Sequence, residues 1–526
     1  MKLIEFVELL DEIENEPATN KKIKLLKPHI TNPFLLTLLT MPAMNVGEKT
    51  IFKTLAAHTG YRIEDIQKEY IINGRVSDVV EIMLNSRKTT TLSTFFKMNV
   101  LKRDDVDIIQ IYSLLMELKT VSGYSKQSAL LHDLFHLSNS SQIINIITGD
   151  KPLGIKHNNI FKALPGKTKE IAKAYAMCNN WFLLCSSIDN LSEIKPMLFT
   201  PISSHLCQGQ PLEDFKVKKP IAIETKYDGV RIQVHHNNNR TEVYTRKLEN
   251  KTLSMPDFVK SAQEWCNLNN DISGIFDLEL LPHTAENGQF IRLEQEAVMT
   301  RLGKHNIHEK MRKVQLDARI FDVMILNGEV LIEKPYIERR KIIEGFEYTK
   351  DIRLTDMKVV KTDKEFKDVF FEVTKKHEGV VAKPPKSKHV PGNREIWLKI
   401  KPLLPNFDFI ITKAYYGKGK NAGLYSSFEI SAMLSNGELR AIGKVGIGFS
   451  DEDMEKITDE INSQSIDRMI DHVIIDNPRI IVEVACEKVN LIRGHISMDF
   501  ARKVSIRTDK DDITTIEEMK KFVGKS

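Results

Sequence analysis

The stretch "ETKYDGVR", residues 224–231, sets a lysine, an aspartate, a glycine and an arginine inside what otherwise reads as a strand. Ile221 and Ile223 alternate before it. Val230, Ile232 and Val234 follow, alternating with Arg231, Gln233 and His235. A period of two predicts a strand with one buried face. Lys226 falls at the break between the two runs, where strands meet and clefts form. Taken alone, the break fits a surface turn with a charged tip as well as a nucleophilic lysine.

The chain around it has 526 residues, enough for about three domains. Hydrophobic residues make up 41% and charged residues 28%, the balance of an ordinary globular protein. A net charge of +5 is compatible with a polyanionic partner without requiring one. The five cysteines form no C-x-x-C pair, which argues against a disulfide framework and a zinc finger and for a reducing intracellular setting. The N-terminal "MKLIEFVELLDEIENEP" has apolar residues at 3, 6, 9, 10 and 13, an amphipathic helix without the basic start and apolar centre of a secretory signal. No run is long and apolar enough to span a membrane.

Residues 1–190 read as helical throughout, with apolar spacings of three and four in "KTIFKTLAAHTG", "EDIQKEYI" and "VSDVVEIMLNS". Gly60 closes one helix before acids open the next. The pattern changes near residue 191. From there to 402, short alternating strands mix with helices, predicting an α+β domain with largely antiparallel sheets. "KIKPLLPNFDF" has the prolines, basic run and lack of period of a hinge. Residues 403–526 bring more short strands, among them "FDFIITKAYY" and "PRIIVEVAC", which suit a small closed barrel.

Lys226 is one of several polar groups on strand-like segments. "FDLEL" puts Asp277 and Glu279 on one face, "HEGVVAKPP" supplies Glu378 and Lys383, and "IWLKIKP" puts Lys399 and Lys401 opposite Leu398 and Ile400. For any single pair a solvated face is the simpler reading. Lysines and carboxylates repeated on four strands point instead to a charged cleft.

In this order, the fragments resemble the covalent nucleotidyltransferase superfamily and, more narrowly, the ATP-dependent DNA ligases of archaeal and eukaryotic type, over nearly the whole chain. "KYDGVR" matches K-x-D-G-x-R. "VYTRKLENKT" matches the element after it, and "FDLEL" the D-x-E strand. "IFDVMILNG" and "KPYIERRKII" match F-D-x-x-x-L-N-G and P-L-x-E-R-R, and "EGVVAKPPKS" and "WLKIKP" the last two core motifs. Downstream, "AYYGKGKNAG" and "AIGKVGIGFSDED" look like the family's OB-fold barrel; upstream, "GIKHNNIFKAL" and "IKPMLF" look like its helical DNA-binding domain.

The resemblance implies three domains: an all-α DNA-binding domain at 1–190, a nucleotidyltransferase (adenylation) domain at 191–402 and an OB-fold β-barrel at 403–526. It also implies that Lys226 attacks the α-phosphorus of ATP, forming a lysyl–AMP and releasing pyrophosphate. AMP then passes to the 5′-phosphate of a nick, and the 3′-hydroxyl expels it. The amine must be uncharged to attack. Burial and the positive charge of Lys399 and Lys401 would both favour that state, and these lysines would also neutralise the triphosphate. Asp228 belongs to the same motif and is assigned to catalysis. Glu224 would read the adenine amino group and Phe321 would stack on the ring. Arg231 and Arg246 would hold phosphates at the nick, with Lys156 a further DNA contact. Lys383, Arg507 and Lys510 are nucleotide contacts. Glu279 would meet the ribose or the metal, and Glu378 the metal. Hard oxygen donors suit Mg²⁺, with Mn²⁺ as the alternative. Arg339 and Arg340 fit a role in the site and a solvated helix face equally well.

The implied partner is nicked double-stranded DNA, gripped through its backbone. A sliding clamp is a candidate partner, and the chain is expected to act as a monomer. An archaeal protein would work in the cytoplasm, a eukaryotic or viral one in the nucleus or at a viral replication site. Within the superfamily the alternatives are an RNA ligase and a capping guanylyltransferase, and the long helical region speaks against both. A nick-binding protein of weak catalysis is the other alternative. It is motivated by "SMDFARKVSIRTDK", where Asp499, Ala501 and Ser505 replace the arginine, proline and arginine of the family's final motif. An acid beside a triphosphate would slow self-adenylation. Pro152 likewise replaces an arginine in the helical region, which would cost a phosphate contact.

Overall fold

A computed structural model describes residues 1–523, except 87–105 and single or paired positions at 213, 287–288, 294, 304–305, 395, 403–404, 418–420, 422, 465, 470, 493 and 511. Part of the expected hinge (403–404) and part of "AYYGKGKNAG" (418–420 and 422) therefore lie outside the described residues. The chain divides into two compact units, Met1–Ser203 and Ser204–Ser526.

The first unit is helical. Its opening helix, Leu3–Asn15, buries Leu3, Phe6, Leu9, Leu10 and Ile13, the stripe that the apolar spacing marks out. The helix Glu48–Thr59 ends at Gly60, whose φ of 82° suits a residue without a Cβ, and Ile63–Asn73 opens with Glu64 and Asp65 in its first turn. Asn32 caps Pro33–Thr40 by accepting from the backbone N–H of Phe34 and Leu35. The carbonyls at the other end of that helix are met from a distant loop. Lys151 Nζ donates to Leu38, Leu39 and Met41 at 3.0, 3.2 and 2.6 Å.

The second unit starts with two sheets. Its strands are β1 (Cys207–Gly209), β2 (Ile221–Lys226), β3 (Val230–Asn237), β4 (Arg240–Thr245), β5 (Gly274–Glu286), β6 (Gln289–Arg292), β7 (Gln315–Leu326), β8 (Glu329–Val330), β9 (Ile352–Leu354), β10 (Met357–Val360), β11 (Gly379–Lys383) and β12 (Trp397–Ile400). One sheet runs β1-β12-β11-β2-β10; the other runs β4-β3-β5-β7-β8, with β6 on β5 and β9 on β7. Pairing is antiparallel as expected, except for β1 with β12 and β7 with β9. Trp265, Phe276, Leu278 and Ile320 centre one core, and Ile223, Phe366, Val380 and Ile400 the other.

The two runs that flank the break thus join different sheets, and residues 227–229 carry the chain across. The expectation of a single buried face is corrected on both strands. Ile221 to Thr225 are all buried, as are Gln233, His235 and His236. The polar members are tolerated because they have partners. His236 Nδ1 meets Thr241 Oγ1 at 2.7 Å and its Nε2 meets Asp271 at 2.9 Å, while the His235 ring sits edge-on to Tyr244.

The remaining strands are β13 (Phe407–Tyr416), β14 (Tyr425–Met433), β15 (Leu439–Val445), β16 (Ile466–Arg468), β17 (His472–Ile475), β18 (Ile481–Ala485), β19 (Lys488–Ile492), β20 (His495–Asp499) and β21 (Arg502–Arg507). They curl around Phe409, Phe428, Ile430 and Val482 into an OB-like half-barrel. β13 pairs with β14, β17 and β18, and β18 continues to β21. Among the described residues no strand pairing closes β21 onto β15. β21 meets the segment just after β15 through a bond from Lys503 N–H to the Ile447 carbonyl (2.8 Å).

Candidate active site

Lys226 ends β2, with Gly379 of β11 opposite it. Its ammonium pairs with the Glu378 carboxylate, whose second oxygen takes Lys401, and Lys401 also pairs with Glu487. Four alternating charges therefore run in a line: Lys226, Glu378, Lys401, Glu487. Burial raises the pKa of the Glu378 carboxyl, but the two lysines outweigh it and lower the value overall; for Lys401 burial is outweighed by its two acids, which raise it. The neighbour expected to be a bare positive charge is thus screened from Lys226 by Glu378. Lys399, half-buried, has its pKa lowered by burial, then by Lys401 and Lys226.

The facing sheet brings a second set of groups. Arg231, Glu279 and Arg319 stand in register across β3, β5 and β7. Asp277 fixes the Arg231 guanidinium through two bonds, at 2.6 and 3.3 Å, and Arg231 Nη1 donates to the His205 carbonyl. Burial pushes the Glu279 carboxyl up to about 7; Glu378 and Asp228 add to the rise, and Lys226 and Arg231 oppose it. Asp228 is raised as well, by burial and then Glu378, and Lys488 of β19 reaches it at 3.4 Å. Gly229 has no room for a side chain: a Cβ there would stand 2.5 Å from the Leu280 carbonyl and 3.0 Å from Glu279 Cγ.

Two residues before the lysine, Glu224 is buried with a donor on each carboxylate oxygen. Lys383 Nζ pairs with one oxygen at 2.6 Å, the Tyr336 hydroxyl donates to the other, and Arg340 Nη1 lies 3.7 Å from that same oxygen. Lys383 itself sits among three rings, 4.8 Å from Phe321, 4.8 Å from Tyr336 and 4.3 Å from Trp397. Arg231 lies 5.1 Å from the Phe321 ring. The solvated-face reading of Arg339 and Arg340 is corrected: both are buried, because each finds a carboxylate inside. Arg339 grips Asp322 at 2.7 and 3.0 Å, and His389 Nδ1 meets the same acid at 2.9 Å. Arg340 bonds Glu344 and the Thr355 carbonyl, both at 2.8 Å.

The structure therefore gathers Glu224, Lys226, Asp228, Arg231, Glu279, Phe321, Glu378, Lys383, Lys399 and Lys401. Within the second unit it does not gather Arg246, Arg507 or Lys510. Arg246 is exposed in the turn after β4, and Lys156 is exposed at the start of the helix His157–Ala163 in the first unit. Arg507 pairs with Asp509 (2.8 and 2.7 Å), and Lys510 with Asp408 (2.5 Å) on the half-barrel. Asp499 stands opposite Lys488 between β20 and β19, and Ser505 donates to Glu483 at 2.7 Å. Among the described residues no group of three or more His, Cys, Asp or Glu is arranged to hold a metal ion. Sequence reading missed Tyr336, Asp322, His389, Glu487 and Lys488. The first two lie in quoted motifs, but nothing in their spacing marks them as buried partners of an assigned residue.

The chain resembles known proteins over most of its length. A family profile described as "ATP dependent DNA ligase domain" matches residues 202–401, and one described as "DNA ligase N terminus" matches 2–165. The chain is 29% identical to the DNA ligase of Methanococcus maripaludis (strain C6 / ATCC BAA-1332), over 98% of this chain and 94% of that protein. It is 27% identical to DNA ligase 2 of Methanosarcina acetivorans, over 89% and 86%, and 26% identical to the DNA ligase of Thermococcus fumicolans, over 91% and 88%. A solved structure described as "Pmar-Lig_Pre." shares the fold at a TM-score of 0.59 and 14% identity, over 96% of this chain and 99% of that one. With the two profiles together spanning most of the chain and curated relatives matching it nearly end to end, the chain belongs to the ATP-dependent DNA ligase family.

Proposed function

We propose that this protein seals 5′-phosphate/3′-hydroxyl nicks in duplex DNA, in replication, repair and recombination, through a lysyl–AMP and a DNA-adenylate. The observation that carries the proposal is the end of β2. There Lys226 pairs with Glu378, whose other oxygen takes Lys401, while Arg231 and Glu279 stand across from it on the other sheet. Lys226 Nζ attacks the α-phosphorus of ATP as the bond to pyrophosphate breaks. Glu378, already hydrogen-bonded to that nitrogen, is placed to accept a proton from it. Lys399 and Lys401 offset the phosphate charge, and Arg231, held by Asp277, is pre-set for a phosphate oxygen. Glu224 reads the adenine amino group, and Phe321 and Lys383 line its pocket. Arg507 and Lys510 are assigned to contacts with the nucleotide, Arg246 to phosphates at the nick and Lys156 to DNA.

Glu279 and Glu378 are the groups that would hold Mg²⁺ or Mn²⁺. Glu378 raises the Asp228 and Glu279 carboxyls by like charge, and Asp228 adds to the rise at Glu279, the kind of field a divalent cation offsets. The bound metal would supply charge neutralisation at the phosphates. The helical region would grip the DNA backbone, the middle region would carry adenylation, and the half-barrel would act as the OB-fold. The test is to mix the protein with α-labelled ATP and Mg²⁺ without DNA. Label on the wild type that is lost in Lys226→Ala supports the reading. Label that survives in the variant, or sealing by the variant, refutes it.

A further inference from the structure

Tyr336 opens the helix Tyr336–Glu344 and is fully buried. Its backbone N–H donates to the Ser387 carbonyl at 2.7 Å, and its ring packs against Lys383 and, edge-on at 6.4 Å, against Trp397. The hydroxyl so held donates to one oxygen of Glu224, while Lys383 donates to the other. The family pattern P-L-x-E-R-R has leucine at this place, which has nothing to donate.

A carboxylate offers two acceptor directions on each oxygen. Here one direction on each is taken by a donor from the protein, so the carboxylate cannot rotate freely and both oxygens are committed as acceptors. The 6-position of adenine presents an N–H₂ donor, which an acceptor welcomes. The 6-position of guanine presents a carbonyl, and two acceptors facing each other in a buried site each lose a hydrogen bond. Were Glu224 free to turn, it could swing aside and let the carbonyl pass.

We propose that Tyr336 is a specificity-determining positioning residue, whose hydroxyl pins the Glu224 carboxylate so that the site accepts ATP and rejects GTP. The proposal rests on the reading of Glu224 as the group that meets the nucleobase.

The test measures formation of the lysyl-nucleotide from α-labelled ATP and from α-labelled GTP, with kcat and KM for each. Tyr336→Phe keeps the ring and removes the hydroxyl. Its ratio of kcat/KM for ATP over GTP should fall roughly tenfold, mainly through a higher KM for ATP. Glu224→Gln, which can offer an amide N–H₂ to a guanine carbonyl, should lower the ratio further. A merely structural role for Tyr336 would slow both nucleotides alike, so an unchanged ratio in Tyr336→Phe beside a lowered one in Glu224→Gln overturns the proposal and leaves the adenine reading standing. An unchanged ratio in Glu224→Gln overturns the adenine reading itself. Should the phenylalanine variant fail to fold, Tyr336→Leu applies the same criterion.

Discussion

Replacing Arg339 with leucine should unfold the second unit selectively. Arg339 and Asp322 are both wholly buried and joined by two hydrogen bonds, and the guanidinium also bonds the Lys334 carbonyl. The substitution leaves the Asp322 carboxylate in the core with the His389 ring as its remaining side-chain hydrogen-bond partner beyond the strand. Removing one partner of a buried ion pair costs about 3–5 kcal/mol, because the other charge is stranded. At about 2 °C per kcal/mol for a unit of this size, the melting temperature should drop by about 6–10 °C. Tryptophan fluorescence separates the units, since Trp181 reports the first and Trp265 and Trp397 report the second, and all three are buried.

Acidity gives an independent check. Burial works to raise the Asp322 carboxyl, but Arg339 and His389 overcome it and hold it well below the ordinary range. A carboxyl lowered on folding contributes stability that is present above its unfolded value, about 3.9, and lost as pH falls through the folded value. The variant has lost much of that contribution, so its deficit should hold from neutrality down to about pH 4 and shrink only below that, as the pH falls toward the lowered folded value. A second-unit melting temperature within 2 °C of wild type, or a deficit that widens on acidification, would refute the reasoning.

Gly229→Ala forces a methyl against the Leu280 carbonyl and Glu279; overpacking of this kind costs about 1–3 kcal/mol, and self-adenylation should fall at least tenfold, read by label on Lys226. Lys151→Met removes the donor to three helix-end carbonyls, so the Trp181-reported transition alone should weaken by about 1.5–3 kcal/mol in a urea titration. Glu487→Gln withdraws the outermost charge of the four-membered line. Because Glu487 is 43% exposed the pair is worth about 0–1 kcal/mol, so the KM for ATP should change less than about fivefold, with a shallower salt dependence than wild type.

The helices and the strand end that carries Lys226 were legible in the sequence because both rest on local pattern. The stripe of Leu3, Phe6, Leu9, Leu10 and Ile13 specifies its own buried face, and the broken alternation around Lys226 marks a strand end. The pairings that tune the site were not legible, because they join residues far apart in the chain. Tyr336 meets Glu224 across 112 positions, and Lys488 meets Asp228 across 260. The burial of Arg339 and Arg340 was left open for the same reason. Charge predicts exposure until a partner carboxylate is found, and Asp322 reads as one more member of an apolar strand. Asp499, a concern as an acid beside a triphosphate, stands opposite Lys488 in a hairpin of the half-barrel, and Lys488 in turn reaches Asp228.

The crossing at residues 227–229 also limits how this region of the gene can vary in length. Successive strand residues advance about 3.3 Å and alternate faces, so one added residue between Lys226 and Val230 would either move the lysine along its sheet or turn Arg231 from one side of the other sheet to its opposite. The hairpin between β3 and β4, a few residues on, joins neighbours within one sheet and turns at Asn238 (φ 52°), so extra length there is absorbed by solvent-facing loop. Insertions should therefore be tolerated after Asn237 and not after Lys226, although the two places lie within a dozen residues of each other.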